Sequence, residues 1–353
     1  MGLFGGGGKE NTIGVDISSS SIKLVELMHD KTGAKISTYG YAEFPYRSGD
    51  VDPLDDVKGT AALLKKIVTD AGVKTNSAVC GIPMSKVFSS VITTPLVSDK
   101  EIGHYVEQQA QKLVSSPINE MQLDWKVLDR AEAEKEKRKS LRVLVSGTKK
   151  ASVQKYIDVF QLAGLNLATL EPDGFALIRA LIWKDKATTM LVDMGSSRTN
   201  ISIVENGIPV LSRSIVVGGT NLTEKLAGIL GMEPGEAEQM KRDFRSFGDR
   251  GATGMPKSVE DIMQPIIHDI DYLFRQYNDD QRSRGGSGIE KVVFTGGSSV
   301  IPYFVEYIRN LLAVNAYVGD PFARVAFPAE LAPVIDDIGP RFGVSIGLAL
   351  KDE

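Results

Sequence analysis

Cysteine and histidine are scarce in this sequence. Among 353 residues there is one cysteine, Cys80, and the three histidines stand far apart. A single thiol excludes an internal disulfide, which fits a reducing compartment. Because Cys80 lies in an apolar run just before Gly81, we interpret it as a buried structural thiol and not as a nucleophile. Scattered histidines with one cysteine give no support to a zinc site.

Long apolar runs and strong net charge are also lacking. No stretch of eighteen or more residues is both uncharged and apolar, so we predict no transmembrane helix. The first residues have neither the basic nor the apolar region of a signal peptide, and position 6 lacks the Ser or Thr of a myristoylation signal. The formal charge of −4 gives no electrostatic reason to expect nucleic acid or an anionic membrane surface as the main partner. We also expect no direct membrane insertion. We expect a cytoplasmic protein with a flexible tail at residues 1–11.

The sequence does contain an internal repeat. Residues 14–26 and 192–204 share one pattern, in which an apolar strand meets an aspartate, a tight turn of small residues follows, and a second strand leaves. The two aspartates, Asp16 and Asp193, stand about half the chain apart. A chain of 353 residues also exceeds the usual size of one hydrophobic core. We therefore predict a duplicated two-lobed fold that holds one nucleotide between its halves.

Hydrophobic periodicity divides the first half into a lobe and an insert. We predict strands near 12–17, 21–28, 35–44, 77–83 and 165–170, and helices near 54–71 and 151–163. Residues 84–148 form an insert with the pattern β-α-β-β, too regular to be a loop. Its strands are predicted at 87–94, 122–130 and 141–147 and its helix at 98–114, with a capping box from Ser98 to Glu101. The charged run 131–139 is interpreted as a solvated hairpin tip.

The second half follows the same alternation of strands and helices. We predict strands at 190–194, 200–205, 208–215 and 291–295, and helices at 220–230, 301–312 and 339–351, with residues 232–284 helical and irregular. Thr220 is the expected cap of one helix and Pro302 the expected start of another. Gly343 and Gly347, four residues apart, give the last helix a bare face for close packing.

Three groups of small and polar residues carry the chemistry. Serines after Asp16 and Asp193 allow backbone N–H groups to approach phosphate oxygens, and their hydroxyls add donors. A carboxylate beside such a turn can hold Mg²⁺, usually through its waters. Gly296 and Gly297 end a buried strand, where the absence of Cβ atoms lets a flat base or a phosphate lie against the backbone. A third turn, at Gly218 and Gly219, opens a helix.

The order of these motifs resembles that of the actin, sugar kinase and heat-shock chaperone superfamily, over residues 12–351. The resemblance implies that ATP and Mg²⁺ are cofactors, with Asp16 and Asp193 on the metal side, and that Glu171, in the first connecting motif, is the candidate catalytic residue that orients water. The residues implied in ATP binding are Asp16, Ser18, Ser19, Ser20, Lys23, Gly195, Ser196, Ser197, Thr199, Gly218, Gly219, Glu224, Lys225, Gly296, Gly297 and Ser298.

Two details are similar to one branch of that superfamily, the PilM proteins. Ser18 stands where most members have glycine, and the insert precedes the helix that leads to Glu171, an arrangement shared with FtsA and called 1C. The implied fold class is α/β, an actin/FtsA-like ATPase fold with duplicated ribonuclease H-like lobes. Its implied domains are a first lobe, 1A (12–83, 149–186 and 335–353); the insert, 1C (84–148); a second lobe, 2A (187–231 and 289–334); and a helical insert, 2B (232–288).

The resemblance implies a scaffold of type IV pilus or related type II secretion assembly. Such a protein is at most a slow ATPase and is peripheral to the inner membrane through its partners. Its expected partner is the cytoplasmic N-terminal peptide of a PilN-like membrane protein, bound between 1A and 1C, and self-association is a further possibility. The candidate groove residues are Ile82, Met84, Ile102, Tyr105, Val106 and Gln109. The alternatives are an FtsA-like division protein and a sugar or acetate kinase-like phosphotransferase on the same fold.

Overall fold

A computed structural model describes residues 12–351 except 32, 46–48, 50, 243–256 and 302. Three β-sheets organise this part of the chain, one in each half and one in the insert. The predicted tail at 1–11, Pro302 and part of the predicted helical region 232–284 lie outside the described residues. Within the described residues, no helix is long and apolar enough to cross a bilayer.

The elements follow the predicted order closely. The strands are β1 Ile13–Ile17, β2 Ser21–Asp30, β3 Gly33–Glu43, β4 Ser77–Ile82, β5 Phe88–Pro95, β6 Met121–Val127, β7 Ser140–Lys149, β8 Asn166–Pro172, β9 Thr189–Met194, β10 Thr199–Glu205, β11 Ile208–Ile215, β12 Lys291–Thr295, β13 Asn315–Val318 and β14 Val325–Ala326. The helices are α1 Val57–Asp70, α2 Asp99–Leu113, α3 Arg130–Lys135, α4 Lys150–Ala163, α5 Asp173–Leu181, α6 Gly219–Leu230, α7 Pro234–Arg242, α8 Lys257–Ser283, α9 Phe304–Leu312, α10 Ala332–Ile338 and α11 Gly343–Ala349.

The two large sheets confirm the predicted duplication. The first has the strand order β14-β3-β2-β1-β4-β8 and the second the order β11-β10-β9-β12-β13. In each, the first three strands of the repeat are antiparallel, and the next two continue parallel to the central one. Each sheet has its own buried apolar cluster, and a third cluster joins residues of both halves, among them Val79, Leu191 and Val293. The chain therefore forms two similar lobes on a shared base.

The insert forms the small sheet β5-β7-β6, covered by α2. Ile102 and Val106 of α2 pack on Val143 and Val145 of β7, which explains why the apolar residues of both elements recur on one face. The expected hairpin tip at 131–139 is wrong in part, because α3 forms there. The helix α3 is stabilised because Ala133 is buried in the apolar cluster of the insert.

The C-terminal region departs from prediction in its short elements. The strands β13 and β14 were not expected, because two to four residues carry too little periodicity to be recognised. The strand β14 pairs with β3 of the first sheet, so the range 289–334, expected in the second lobe, contributes one strand to the first. The last helix is shorter than predicted, since a 3-10 turn over Gly339–Phe342 precedes α11.

The helices α5 and α11 connect the lobes and pack against each other closely. A Cβ atom at Gly347 would overlap the backbone carbonyl of Ala176, and one at Gly343 would lie 2.9 Å from Leu177. The predicted bare face of the last helix is therefore confirmed as the surface that contacts its counterpart. This contact fixes the base of the cleft between the two lobes.

Candidate functional site

Two aspartates occupy equivalent positions in the two sheets. Asp16 of β1 lies opposite Lys23 of β2, and Asp193 of β9 lies opposite Asn200 of β10. Lys23 donates a hydrogen bond to Asp16 (Nζ to Oδ2, 2.8 Å), whereas the Asn200 amide lies 3.4 Å from Asp193 Oδ2. The repeat therefore places a cation beside one carboxylate and only a neutral amide beside the other. The role of Asn200 was not predicted, although it stands seven residues after Asp193, as Lys23 does after Asp16.

The turns after the two aspartates meet across the cleft. The Ser19 hydroxyl lies 2.8 Å from that of Ser196 and 2.9 Å from that of Ser197. Ser18, where glycine was noted as more usual, donates to the Ser21 carbonyl (3.0 Å) and accepts from Lys23 Nζ (3.3 Å). The hydroxyl of Ser18 thus braces its own turn and Lys23, while Ser19 faces the opposite lobe.

The glycine turns of the second lobe allow backbones to approach each other. The N–H of Gly219 donates to Gly195 O (3.0 Å), and a Cβ at Gly218 would lie 2.6 Å from Ser196 O. Gly296 has a φ of 87°, and a Cβ there would lie 2.7 Å from Asp193 Oδ1. These glycines are needed because the turns crowd together beside Asp193. The expected cap at Thr220 is wrong, since α6 begins one residue earlier with Gly218 as its N-cap.

The remaining predicted residues of the second lobe lie around this crowded region. The Ser298 hydroxyl donates to Gly195 O (3.2 Å), and the Thr199 hydroxyl donates to Val217 O (2.8 Å). On α6, Glu224 is half-buried and Lys225 is exposed. Gly297 directly follows Gly296, and Ser20 directly follows Ser19, so both lie in turns whose neighbouring residues make the contacts described above. The structure thus gathers both phosphate-type turns, while Lys225 stays on an exposed face of α6.

Lys241 of α7 was missed by the sequence interpretation. Its Nζ donates to Gly219 O (3.0 Å), to the Thr223 hydroxyl (2.9 Å) and to Glu238 Oε2 (2.6 Å). A cation is thereby held under the Gly218–Gly219 turn. Gly219 and Thr223 belong to another helix, α6, and Glu238 is an ordinary i,i+3 neighbour on α7, so the sequence offers no signal for the contact with the turn.

Asp173 was also missed, and it is the third carboxylate of the cleft. Removal from water raises its pKa well above the usual range, with the charges of Asp193 and Asp16 adding to the rise. Burial likewise raises the pKa of Asp193 to about 6, with a further rise from Asp16 and opposing effects of Asn200 and Lys23. The charges of the three carboxylates therefore oppose one another's ionisation, and Lys23, hydrogen-bonded to Asp16, neutralises part of their charge.

Glu171, the expected catalytic residue, is engaged elsewhere. Both of its carboxylate oxygens accept hydrogen bonds from Arg179 (2.8 and 3.1 Å), and Lys351 Nζ lies 3.5 Å from Oε2. Arg179 also donates to the carbonyl of Gly347. The Glu171 side chain is buried within this network of the connecting helices. In this structure Glu171 is thus a partner of Arg179 and Lys351, and its water-orienting role stays a prediction.

The predicted groove residues divide into buried and accessible ones. Ile82 is fully buried in the core of the first lobe, and Ile102 and Val106 are fully buried in the insert. These three cannot contact a peptide in this conformation, because the strand and helix that carry them use that face for their own packing. Met84, Tyr105 and Gln109 are half-buried and remain accessible.

The residues of the cleft fit a magnesium nucleotide. Asp16, Asp173 and Asp193 leave an excess of negative charge that a divalent cation would offset. The described residues contain no group of three or more His, Cys, Asp or Glu side chains placed to hold a metal ion directly. Mg²⁺ often keeps several waters and binds through one or two carboxylates and phosphate. Asn200 Oδ1 is buried without a hydrogen-bond partner among the described residues. Buried acceptors are normally satisfied, so this oxygen beside Asp193 could accept a hydrogen bond from a metal-bound water.

Comparison with known sequences gives one family and several partial relatives. The family model described as type IV pilus assembly protein PilM matches residues 14–353. The chain is similar to cell division protein FtsA of Rhizobium meliloti (strain 1021), with 29% identity over 182 residues, and to FtsA of Agrobacterium fabrum (strain C58 / ATCC 33970), with 26% over 178 residues. Each alignment covers 45% of this chain and 39% of the relative, so the chain matches well under half of the length of these relatives.

Solved structures share the fold over nearly the whole chain. The structure described as a PilM-PilN type IV pilus biogenesis complex has a TM-score of 0.79 and 20% identity, and covers 98% of this chain and 100% of that one. Ethanolamine utilization protein EutJ of Carboxydothermus hydrogenoformans has a TM-score of 0.56 and 17% identity, with 99% and 92% covered. MreB5 of Spiroplasma citri bound to AMPPNP has a TM-score of 0.53 and 12% identity, with 97% and 95% covered. The fold is therefore actin-like, as predicted.

Proposed function

The chain belongs to the family of type IV pilus assembly protein PilM, and from this membership we propose that it is an ATP-binding, actin-like scaffold of type IV pilus assembly. We place it in the cytoplasm, peripheral to the inner membrane through its partners. Service in a related type II secretion system and self-association are included in the proposal. Analytical ultracentrifugation with and without Mg-ATP tests self-association directly.

The observation that carries the nucleotide proposal is the pair of matched hairpins. Asp16 and Asp193 end equivalent strands, and the serine turns that follow them touch at Ser19, Ser196 and Ser197. A polyphosphate in this cleft would meet hydroxyl donors from both lobes. MreB5, which shares the fold, is described as bound to AMPPNP. This supports, by analogy of fold, a nucleotide between the lobes.

In this proposal each part of the nucleotide has its own set of contacting residues. The serine hydroxyls and Lys23 would contact phosphate oxygens, and the glycine turn at 296–297 would leave room for the adenosine. Bound Mg²⁺ supplies charge neutralisation for the triphosphate. Asp16 and Asp193 would accept hydrogen bonds from its waters, and Asn200 Oδ1 would accept another. Since both carboxylate oxygens of Glu171 are held by Arg179, they are not available to orient a water, and we expect slow hydrolysis at most.

Removal of either aspartate tests the nucleotide proposal. Asp16→Ala and Asp193→Ala should each weaken Mg-ATP binding by at least about tenfold, because a hydrogen bond to a charged group contributes roughly 1.5–3 kcal/mol. With EDTA present the same variants should bind ATP no more weakly than the parent protein, since a repelling carboxylate has been removed. Asp185→Ala, which removes an exposed carboxylate that pairs with Lys291, is the matched control.

Isothermal titration calorimetry measures all of these affinities. Unchanged Mg-ATP affinity in both Asp16→Ala and Asp193→Ala would rule the cleft out as the metal nucleotide site. Weakening in both that disappears in EDTA would support the proposal.

The partner proposed is the cytoplasmic N-terminal peptide of a PilN-like membrane protein. The similar solved structure is described as a complex of PilM with PilN, which supports a partner of this kind. An extended peptide in a groove needs no catalytic group. Of the residues expected to line the groove, we retain Met84, Tyr105 and Gln109, because these are accessible on the insert and at its base.

A further inference from the structure

The insert is attached to the first lobe by a short 3-10 turn, Met84–Lys86, which we call the insert root. Two aspartates of the first lobe hold it. The N–H of Met84 donates to Asp173 Oδ1 (3.1 Å), and Lys86 Nζ donates to Asp52 Oδ2 (2.6 Å). The far end of the insert returns to the same point, where the Thr148 hydroxyl donates to Lys86 O (2.8 Å). These contacts hold the insert root, while β5 also meets β11 of the second lobe and β6 and β7 meet α4.

Asp173 reaches from the insert root into the nucleotide cleft. It is the first residue of α5, and its Cβ lies 3.6 Å from the position that a Cβ would take at Gly81. Gly81 follows Cys80, which pairs with Val15, the residue before Asp16, so Asp173 lies at the edge of the sheet where β1 reaches the cleft. Burial, together with the charges of Asp193 and Asp16, raises the pKa of its carboxyl. On the other side, the Met84 side chain lies against Gly174, where a Cβ would come within 3.1 Å of its sulfur. One carboxylate thus faces the charges of the cleft and also accepts the hydrogen bond of the insert root.

We propose that Asp173 is a positioning residue that couples the nucleotide cleft to the insert. A magnesium nucleotide changes the charge that faces this carboxylate, and the carboxylate in turn determines how firmly the insert root is held at Met84. The inference rests on the proposed function, because it requires a nucleotide in the cleft. It adds a route by which nucleotide state regulates the orientation of the insert and the groove that the insert borders.

The two aspartates that hold the insert root, Asp173 and Asp52, are its two anchors, and they differ in the charges that surround them. Lys23 offsets only part of the charge of Asp16 and Asp193, so without a divalent cation the two carboxylates oppose ionisation of Asp173 and weaken the hydrogen bond that it accepts from Met84. A dication bound beside Asp16 and Asp193 offsets their charge further, and a hydrogen bond to an ionised, well-ordered acceptor is stronger. Asp52 has Lys86 and the N–H of Leu54 as hydrogen-bond partners, so a cation already offsets its charge whether or not the cleft is filled. It should hold the root equally well in every nucleotide state.

Hydrogen–deuterium exchange of the full chain tests the proposal with Mg-AMPPNP as the probe. Each variant is studied at saturation, fixed by its own dissociation constant from calorimetry. In the parent protein, Mg-AMPPNP should slow exchange at residues 84–87 by about fivefold or more, the lower end of common coupling strengths. Asp173→Asn keeps the shape and an acceptor but loses the charge, and should lose most of this nucleotide-dependent slowing. Asp52→Asn makes the same chemical change at the other anchor and should retain it.

Each possible result has a clear meaning. If the parent protein does not bind Mg-AMPPNP, the proposed function fails and the inference fails with it. Nucleotide binding without a change at residues 84–87 overturns the inference alone. The inference is also wrong if Asp173→Asn keeps the full response, or if Asp52→Asn loses as much as Asp173→Asn. Selective loss in Asp173→Asn supports it.

Discussion

At the scale of single residues, neighbours decide what each carboxylate does. Glu171 and Asp173 are two positions apart, yet they point into different environments. Glu171 is paired with Arg179 and Lys351 inside the connecting helices, whereas Asp173 shares the cleft with Asp16 and Asp193. The sequence motif drew attention to the glutamate, since it matches a known pattern. In the structure it is the carboxyl of Asp173 that is affected by the charges of the cleft.

Glu171→Gln is expected to harm stability and to spare nucleotide binding. The change removes the carboxylate that both terminal nitrogens of Arg179 contact in a buried place, and breaking a buried pair costs about 3–5 kcal/mol. Urea unfolding followed by circular dichroism measures this loss, and calorimetry measures Mg-ATP affinity. Asp70→Asn, which breaks the exposed pair with Lys66, is the control and should change stability by less than about 1 kcal/mol. Normal stability with lost ATP hydrolysis in Glu171→Gln would restore the catalytic role.

At the scale of elements, the connecting helices set the geometry of the cleft. The helices α5 and α11 approach so closely that Gly347 has no room for a side chain beside Ala176. Arg179 of α5 adds a hydrogen bond to the Gly347 carbonyl. Because both helices lie at the base of the two lobes, their contact determines where Asp173, at the start of α5, meets the cleft.

Two glycine-to-alanine changes separate close packing from helix propensity. Gly347→Ala should destabilise the protein by about 1–3 kcal/mol or more, since an added methyl group overpacks a tight contact. Gly228→Ala, in α6, has open space around its Cβ and should stabilise by roughly 0.5–1 kcal/mol through helix propensity. Thermal unfolding compares the two variants. Equal effects of the two changes would contradict the packing argument.

At the scale of the whole molecule, the insert is a unit added to a duplicated fold. Its ends lie together, because Phe88 pairs with Gly147 and Thr148 binds Lys86. The two lobes keep their own sheets and apolar clusters without it. Removal of the insert therefore leaves only a short gap to bridge.

Excision of residues 87–147 with a short Gly-Ser bridge should abolish peptide capture and preserve Mg-ATP affinity within about threefold. The probe is a synthetic peptide with the N-terminal sequence of the PilN-like membrane protein, measured by fluorescence anisotropy. In the intact chain, Tyr105→Ala should weaken capture by about tenfold, as for truncation of an interface aromatic. Tyr272→Ala, an exposed tyrosine of α8, is the matched control. Full-affinity capture by a folded, excised protein would place the groove elsewhere.

The sequence by itself determined the duplication, the order of the longer elements and the two phosphate-type turns, because periodicity and small-residue motifs are local properties of the chain. It also identified the insert and the bare face of the last helix. Only the tertiary structure decided which predicted groove residues are buried, that Glu171 is held by Arg179, and that Lys241, Asn200 and Asp173 join the site. These roles arise from contacts between elements distant in sequence or from the orientation of a side chain in the fold, and no local pattern records either one.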